Sequence, residues 1–194
     1  PIQYGDIAFY VSGSSQSILK AERLVLNAMQ RMSAIATKTN AFAELLKNTK
    51  TKILDTRKTT PGIRALEKWA VKRILLQYNH MDFSGGGGAA IEKTQAYLRE
   101  NSLDLKIIVE ARNMEEIKEI LKYDGIHRIL IDNFNYEDTR EAVALINGKT
   151  QTESSGGITL ETVAEYAACG VDYISSGALT HSVHNLDLSL KAVD

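Results

Sequence analysis

Between residues 52 and 177, short apolar runs alternate with helical patterns, and this alternation limits the possible folds more than any other feature. The apolar runs are KILDT (52–56), RILLQY (73–78), KIIVEA (106–111), RILIDN (128–133), QTES from residue 151, and DYISSG (172–177). The helical stretches are IRALEKWAV, GAAIEKTQAYLREN, MEEIKEILKY, YEDTREAVALI and LETVAEYAAC. Strands alternating with helices imply right-handed βαβ units and a parallel sheet. Six such units in succession predict an α/β fold with a parallel sheet, a barrel or near-barrel more than an open sheet. Gly125, Gly148 and Gly170 each fall near a helix C-terminus, where a left-handed residue suits glycine.

Ahead of this region, IAFYV at 7 to 11 reads as a short strand, and GSS at 13 to 15 as the cap of a helix starting near Gln16. Leu19, Leu24, Leu26, Met29 and Met32 recur at roughly helical spacing, and a second helix is expected near residues 40 to 47. One connection is unusually tight, because the helix ending near Lys72 leaves almost no turn before the strand at Arg73. A segment is expected to be missing there.

At 194 residues the chain can bury one good-sized core. A net charge of -1 argues against nucleic acid as the main partner. No apolar run approaches membrane-spanning length, which argues against a membrane partner. The single cysteine, Cys169, excludes an internal disulfide and fits a reducing, cytoplasmic setting. The chain opens at Pro1 in what reads as mid-domain sequence, so a fragment or a trimmed chain is expected.

In parallel α/β architectures ligands sit beyond the carboxyl ends of the strands. Those ends carry Thr56, Arg57 and Lys58; Gln77, Asn79 and His80; Glu110 and Arg112; Asp132 and Asn133; Glu153 and Ser155; Ser175 and Ser176. Each polar group alone is as well explained by a strand-end ion pair. The set as a whole points to a site. Ser155-Gly156-Gly157 and Ser176-Gly177-Ala178 end two consecutive late strands, and small residues there present backbone N–H groups to a phosphate. Glu110 and Asp132 lie on consecutive strands and suit Mg²⁺ held through substrate oxygens and water, or else ion pairs with Arg57, Lys58 or Arg112. The four glycines 85 to 88 match no P-loop, since no Gly-Lys-Ser/Thr follows. His181 and His184 lack a third ligand for a metal, and Cys169 sits on an apolar helix face.

The segments SGSSQSILKAERLVLNAMQRMSAIATKTN, TKILDTRKTTPGIRALEKWAVK, LIDNF, ESSGGITLETVAEYAACGVDYIS and GALTHSVHNLDLSLKAV resemble quinolinate phosphoribosyltransferase, the carboxylating nicotinate-nucleotide diphosphorylase of NAD biosynthesis. The resemblance implies an N-terminal sandwich domain followed by an incomplete (β/α) barrel of about six to seven parallel strands. Residues 1–40 would then be a remnant of the first domain plus a linking helix, and 41–194 the barrel. It also implies a homodimer with shared active sites. The implied reaction moves a phosphoribosyl group from phosphoribosyl pyrophosphate to quinolinate with Mg²⁺, giving nicotinate mononucleotide, CO₂ and pyrophosphate.

By position, Arg57 and Lys58 match the family's anion-binding pair, with Thr56 beside them, and Arg31 matches an arginine that reaches the neighbouring subunit's site. Glu110 and Asp132 match the carboxylates facing ribose and metal, which with Lys58 makes the implied catalytic set. Ser155, Gly156, Gly177 and His181 fall in the phosphate-binding segments, next to Gly157 and Ser176.

The departures cluster on the quinolinate half. A loop bearing Asn-His-Arg is absent after AVK, Gln77 stands where a substrate-binding lysine is expected, Tyr78 replaces an aspartate, and Ile108 replaces an acid. Loss of these charges removes charge-assisted bonds, so the native activity is expected to be reduced or lost. The alternative is an engineered barrel whose rebuilt pocket takes a different small molecule, with Glu110, Asp132 or Glu153 as a buried general base.

Overall fold

The computed structural model describes residues 3–54, 56, 58–71 and 87–192. It opens with one long helix, α1 (Ser15–Leu46), entered through Ser14 in an extended conformation. The two helices expected here are one. Residues 33–40 contain no glycine or proline, and Thr39 returns its hydroxyl to the Ile35 carbonyl at 2.8 Å, so nothing breaks the spiral. Leu26, Ala34, Ile35, Phe42 and Leu46 form its buried stripe.

The strand expected at residues 7 to 11 does not form: the segment is irregular and exposed. β-branched and aromatic content favours a strand only where a partner accepts its ladder, and no described strand lies beside it. The C-terminal LDLSL segment does not pair with it either. It runs along α1, with Leu186 N–H on the Gln30 carbonyl at 3.4 Å and Gln30 Nε2 on the Leu188 carbonyl at 2.9 Å.

After α1 the chain runs β1 (Lys52–Leu54), α2 (Arg64–Val71), α3 (Gly87–Glu100), β2 (Ile107–Ala111), α4 (Met114–Ile120) and β3 (Ile126–Asp132). It continues with α5 (Tyr136–Ile146), β4 (Gln151–Ser155), α6 (Val163–Ala168), β5 (Tyr173–Ser175) and α7 (Ala178–His181). The five described strands are all parallel, in the order β1-β5-β4-β3-β2. First and last strands are neighbours, which is barrel order, and the two edges, β1 and β2, are consecutive in the chain. The strand expected at 73–78 lies outside the described residues. Asn113 and Asn135 cap α4 and α5 by accepting from Glu116 N–H and Asp138 N–H. Gly125, Gly148 and Gly170 have the positive φ expected of helix terminators.

One sheet face packs on helices. Ile107, Val109, Ala111, Ile129 and Ile131 meet Ile117, Ile120, Ala142 and Ile146 in one core; Ile174 meets Ile35, Phe42, Val163 and Leu179 in a second. Strand alternation therefore turns Ile108 and Glu110 of β2, Arg128, Leu130 and Asp132 of β3, Glu153 and Ser155 of β4, and Tyr173 and Ser175 of β5 to the inner face. The polar strand-end residues stand at the C-terminal rim of that face.

Candidate active site

Two clusters form at this rim. The first joins the ends of β3 and β4. Asp132 and Ser155 are register partners, and the Ser155 hydroxyl donates to Asp132 Oδ1 at 2.5 Å. Asn133 donates its side-chain amide to Asp132 Oδ2 at 2.6 Å, and its N–H goes to the Ser155 carbonyl at 2.9 Å. Asn133 adopts a left-handed φ of 58°, a region in which asparagine is tolerated. Gly156, at φ 95°, lies so close that a Cβ there would stand 2.2 Å from Asn133 Oδ1 and 2.8 Å from its backbone nitrogen. Gly157 also has positive φ, and nothing lies within 4 Å of a Cβ built there, so this turn faces open space.

The second cluster joins the loop after β1 to α7. Lys58 donates its N–H to Thr56 Oγ1 at 3.1 Å, and its carbonyl accepts from Thr180 Oγ1 at 2.6 Å. The exposed Lys58 side chain runs over Gly177: a Cβ built on that glycine would lie 3.1 Å from Lys58 Cδ and 2.7 Å from His181 Nε2. Lys58, Gly177 and His181 are thus neighbours, although 119 to 123 residues separate the lysine from the other two. His181 Nδ1 is bonded to the Ser182 hydroxyl at 2.5 Å. Ser176 is buried, its hydroxyl on the Ile158 carbonyl, so it offers a ligand its place in the turn rather than its side chain.

Behind the second cluster lies a carboxylate that sequence reading passed over. Glu67 of α2 is 0% exposed and accepts from Thr60 N–H at 2.8 Å, Thr60 Oγ1 at 2.8 Å and Arg31 Nε at 2.9 Å. Burial by itself raises its pKa, but these bonds and the Arg31 charge outweigh burial and hold it below the ordinary glutamate value. Arg31, which the resemblance assigns to a neighbouring subunit's site, bonds within its own chain. It pairs with Glu67 and also donates to the Thr180 carbonyl. The available signal for Glu67 was an acid in the first turn of a helix just after TTPG, and that pattern is common.

Glu153, read as a polar strand end and a candidate base, is 0% exposed and pairs with Arg128 at 2.9 Å. The Arg128 guanidinium carbon sits 3.9 Å from the centre of the Tyr173 ring. This cation, missed in the sequence, closes the inner face two layers below Asp132 and Ser155, beside the buried Ile108. Counting in twos from Asp132 through Leu130 would have put Arg128 on that face.

Glu110 is exposed on the inner face of β2, and Asp132 stands on the same face of the neighbouring β3. Among the described residues no group of three or more His, Cys, Asp or Glu side chains could hold a metal by itself. Two hard oxygen donors on adjacent strands fit an Mg²⁺ that takes its remaining ligands from water and phosphate oxygens. Arg57, Gln77, Tyr78, Asn79 and His80 lie outside the described residues. Among the described residues, no helix is long and apolar enough to cross a membrane.

Comparison with known proteins gives the following. The family model described as quinolinate phosphoribosyl transferase, C-terminal domain, matches residues 35–191. A mitochondrial quinolinate phosphoribosyltransferase [decarboxylating] 2 of Nicotiana glauca is 42% identical over 208 residues, covering 93% of this chain and 59% of that protein. The aligned span exceeds the 194 residues of this chain, so the relative carries internal residues that this chain lacks. The chain spans about 59% of the length of the plant relatives of this group that it matches. The nicotinate-nucleotide pyrophosphorylase [carboxylating] of Mycobacterium leprae is 38% identical over 97% of this chain and 70% of its own. The structure of NadC from Streptococcus pyogenes superposes with a TM-score of 0.77 at 36% identity, covering 93% of this chain and 66% of that one.

Proposed function

The chain belongs to the quinolinate phosphoribosyl transferase family, and from that membership we propose that it transfers a phosphoribosyl group from phosphoribosyl pyrophosphate to quinolinate. The observation that carries the reading is the junction of Lys58 with Gly177 and His181 at the carboxyl rim of a parallel sheet. It brings the cation of DTRKTTPG to the late phosphate turn that follows β5.

In this reading Lys58, with Arg57, orients the quinolinate dicarboxylate through charge-assisted bonds. The backbone turns at Gly156, Gly157 and Gly177 receive the ribose phosphate. The pyridine nitrogen attacks the anomeric carbon, its lone pair forming the new C–N bond while the C–O bond to pyrophosphate breaks and its electrons leave with that group. The carboxylate next to the nitrogen then departs as CO₂, and its bonding electrons pass to the ring carbon, which takes up a proton. Glu110 and Asp132 would hold Mg²⁺, which when bound neutralises charge on the departing pyrophosphate. Ser155 and Asn133 keep Asp132 oriented for that task.

Closure of the sheet into a barrel of six to seven strands, a homodimer and a cytoplasmic setting belong to the same proposal, on the ring order of the strands and the family resemblance. The rebuilt-pocket alternative gains no support from the relatives, whose printed names are those of the transferase. Thermal unfolding with Mg²⁺ and phosphoribosyl pyrophosphate, then quinolinate, tests the reading alongside an assay for nicotinate mononucleotide. A ligand at a hundred times its Kd adds about 2.7 kcal/mol. Stabilisation by both ligands with product formed is expected; no stabilisation and no product would sink the proposal.

A further inference from the structure

We propose that Glu67 is a positioning residue that clamps the Lys58 loop against α7, so that cation and phosphate turn are presented to the substrate as one unit. This rests on the reading above and extends it to a residue outside the rim. The clamp has four parts. The Glu67 carboxylate holds Thr60 by its N–H and its hydroxyl, fixing the loop two residues beyond Lys58. Both Glu67 and Thr60 hold the Arg31 guanidinium of α1. That guanidinium donates to the Thr180 carbonyl of α7, and the Thr180 hydroxyl returns to the Lys58 carbonyl. The circuit therefore closes on Lys58 itself, through three elements distant in sequence.

The chemistry explains why a carboxylate is placed there. A fully buried carboxylate is costly unless it is paired and hydrogen-bonded, and Glu67 has both kinds of partner. It neutralises Arg31, which is 19% exposed, while Lys58 on the same loop keeps its side chain exposed to solvent. Charge-assisted bonds are directional, so the circuit fixes where Lys58 starts before any ligand arrives.

The test uses the full chain with Glu67→Gln, and with Thr60→Val as a milder variant should the first fail to fold. Hydrogen exchange is read first and needs no ligand. Either variant should speed exchange in residues 58–62 and 176–182 by about tenfold or more while residues 126–132 stay at the wild-type rate. Unchanged rates in both segments overturn the clamp. Quinolinate is then titrated into wild type, Glu67→Gln, Lys58→Ala and the double variant. Positioning predicts that Glu67→Gln weakens binding about tenfold, and no more than about twofold once Lys58 is gone, although its effect on unfolding temperature is the same in both backgrounds. Equal losses of binding in both backgrounds would show a merely structural residue and overturn the proposal. If the wild type binds no quinolinate, the transferase reading fails, and the exchange result alone decides the clamp.

Discussion

The Ser155 hydroxyl and the Asp132 carboxylate meet at 2.5 Å across the ends of two neighbouring strands, and Asn133 holds the other carboxylate oxygen at 2.6 Å. Asp132 is thereby fixed in plane and orientation before any ligand binds. Ser155→Ala removes one charge-assisted bond, a contribution of about 1.5–3 kcal/mol when fully expressed. We expect turnover to fall roughly tenfold to a hundredfold, with the unfolding temperature lowered by several degrees, as read by steady-state kinetics beside a thermal melt. Unaltered kinetics would mean that the serine does not orient Asp132 for the reaction.

The two glycines that follow should answer differently to the same change. Gly156→Ala meets Asn133 at 2.2 and 2.8 Å, and the second contact is backbone that cannot swing away. Gly157→Ala meets nothing within 4 Å and bears only the cost of a left-handed alanine at φ 61°, about 1 kcal/mol. Chemical denaturation should rank Gly156→Ala well below Gly157→Ala, by about 2 kcal/mol or more. Equal stabilities would show that the Asn133 turn gives way.

Position at the strand ends carried most of what was read beforehand, and parity explains why it worked. Glu110, Asp132 and Ser155 lie on one face because each occupies the inward position of its strand, and reading in twos finds them without coordinates. Register is another matter. That Arg128 lies within reach of Glu153 depends on how β3 slides against β4, which no local pattern encodes. Glu67 was less legible still, since its partners lie 7 and 36 residues away and meet only when α1 packs beside α2. The strand expected at 7 to 11 shows the opposite error, in which propensity was read without asking what would pair with it.

The Arg128–Glu153 pair should behave as a buried ion pair of which neither half can be removed alone. Arg128→Met takes the guanidinium from a carboxylate that is 0% exposed, and Glu153→Leu takes the carboxylate from a buried guanidinium stacked on Tyr173. Each single change should cost about 3–5 kcal/mol in urea unfolding, and the double variant should regain much of that loss. Costs that simply add in the double variant would mean that the two charges act independently.

Acid should destabilise the fold in part through the carboxylate that anchors the Lys58 loop. The folded pKa of Glu67 is depressed below the usual 4.5, because Thr60 and Arg31 outweigh the effect of burial. Its contribution to stability is therefore fully present above the unfolded value and is lost as pH falls through the lower, folded one. Asp172 has the same sign: burial raises its pKa, and bonds from Thr152 and Lys50 more than reverse this, so it adds to the same acid limb from the opposite end of the strands. The two can be separated. Glu67→Gln removes one titrating group and should flatten the fall in unfolding temperature between neutral pH and the acid limb, leaving the Asp172 part. A wild-type slope in the Glu67→Gln protein would mean that the carboxylate has the same proton affinity in the folded and unfolded chains, contrary to the bonds that surround it.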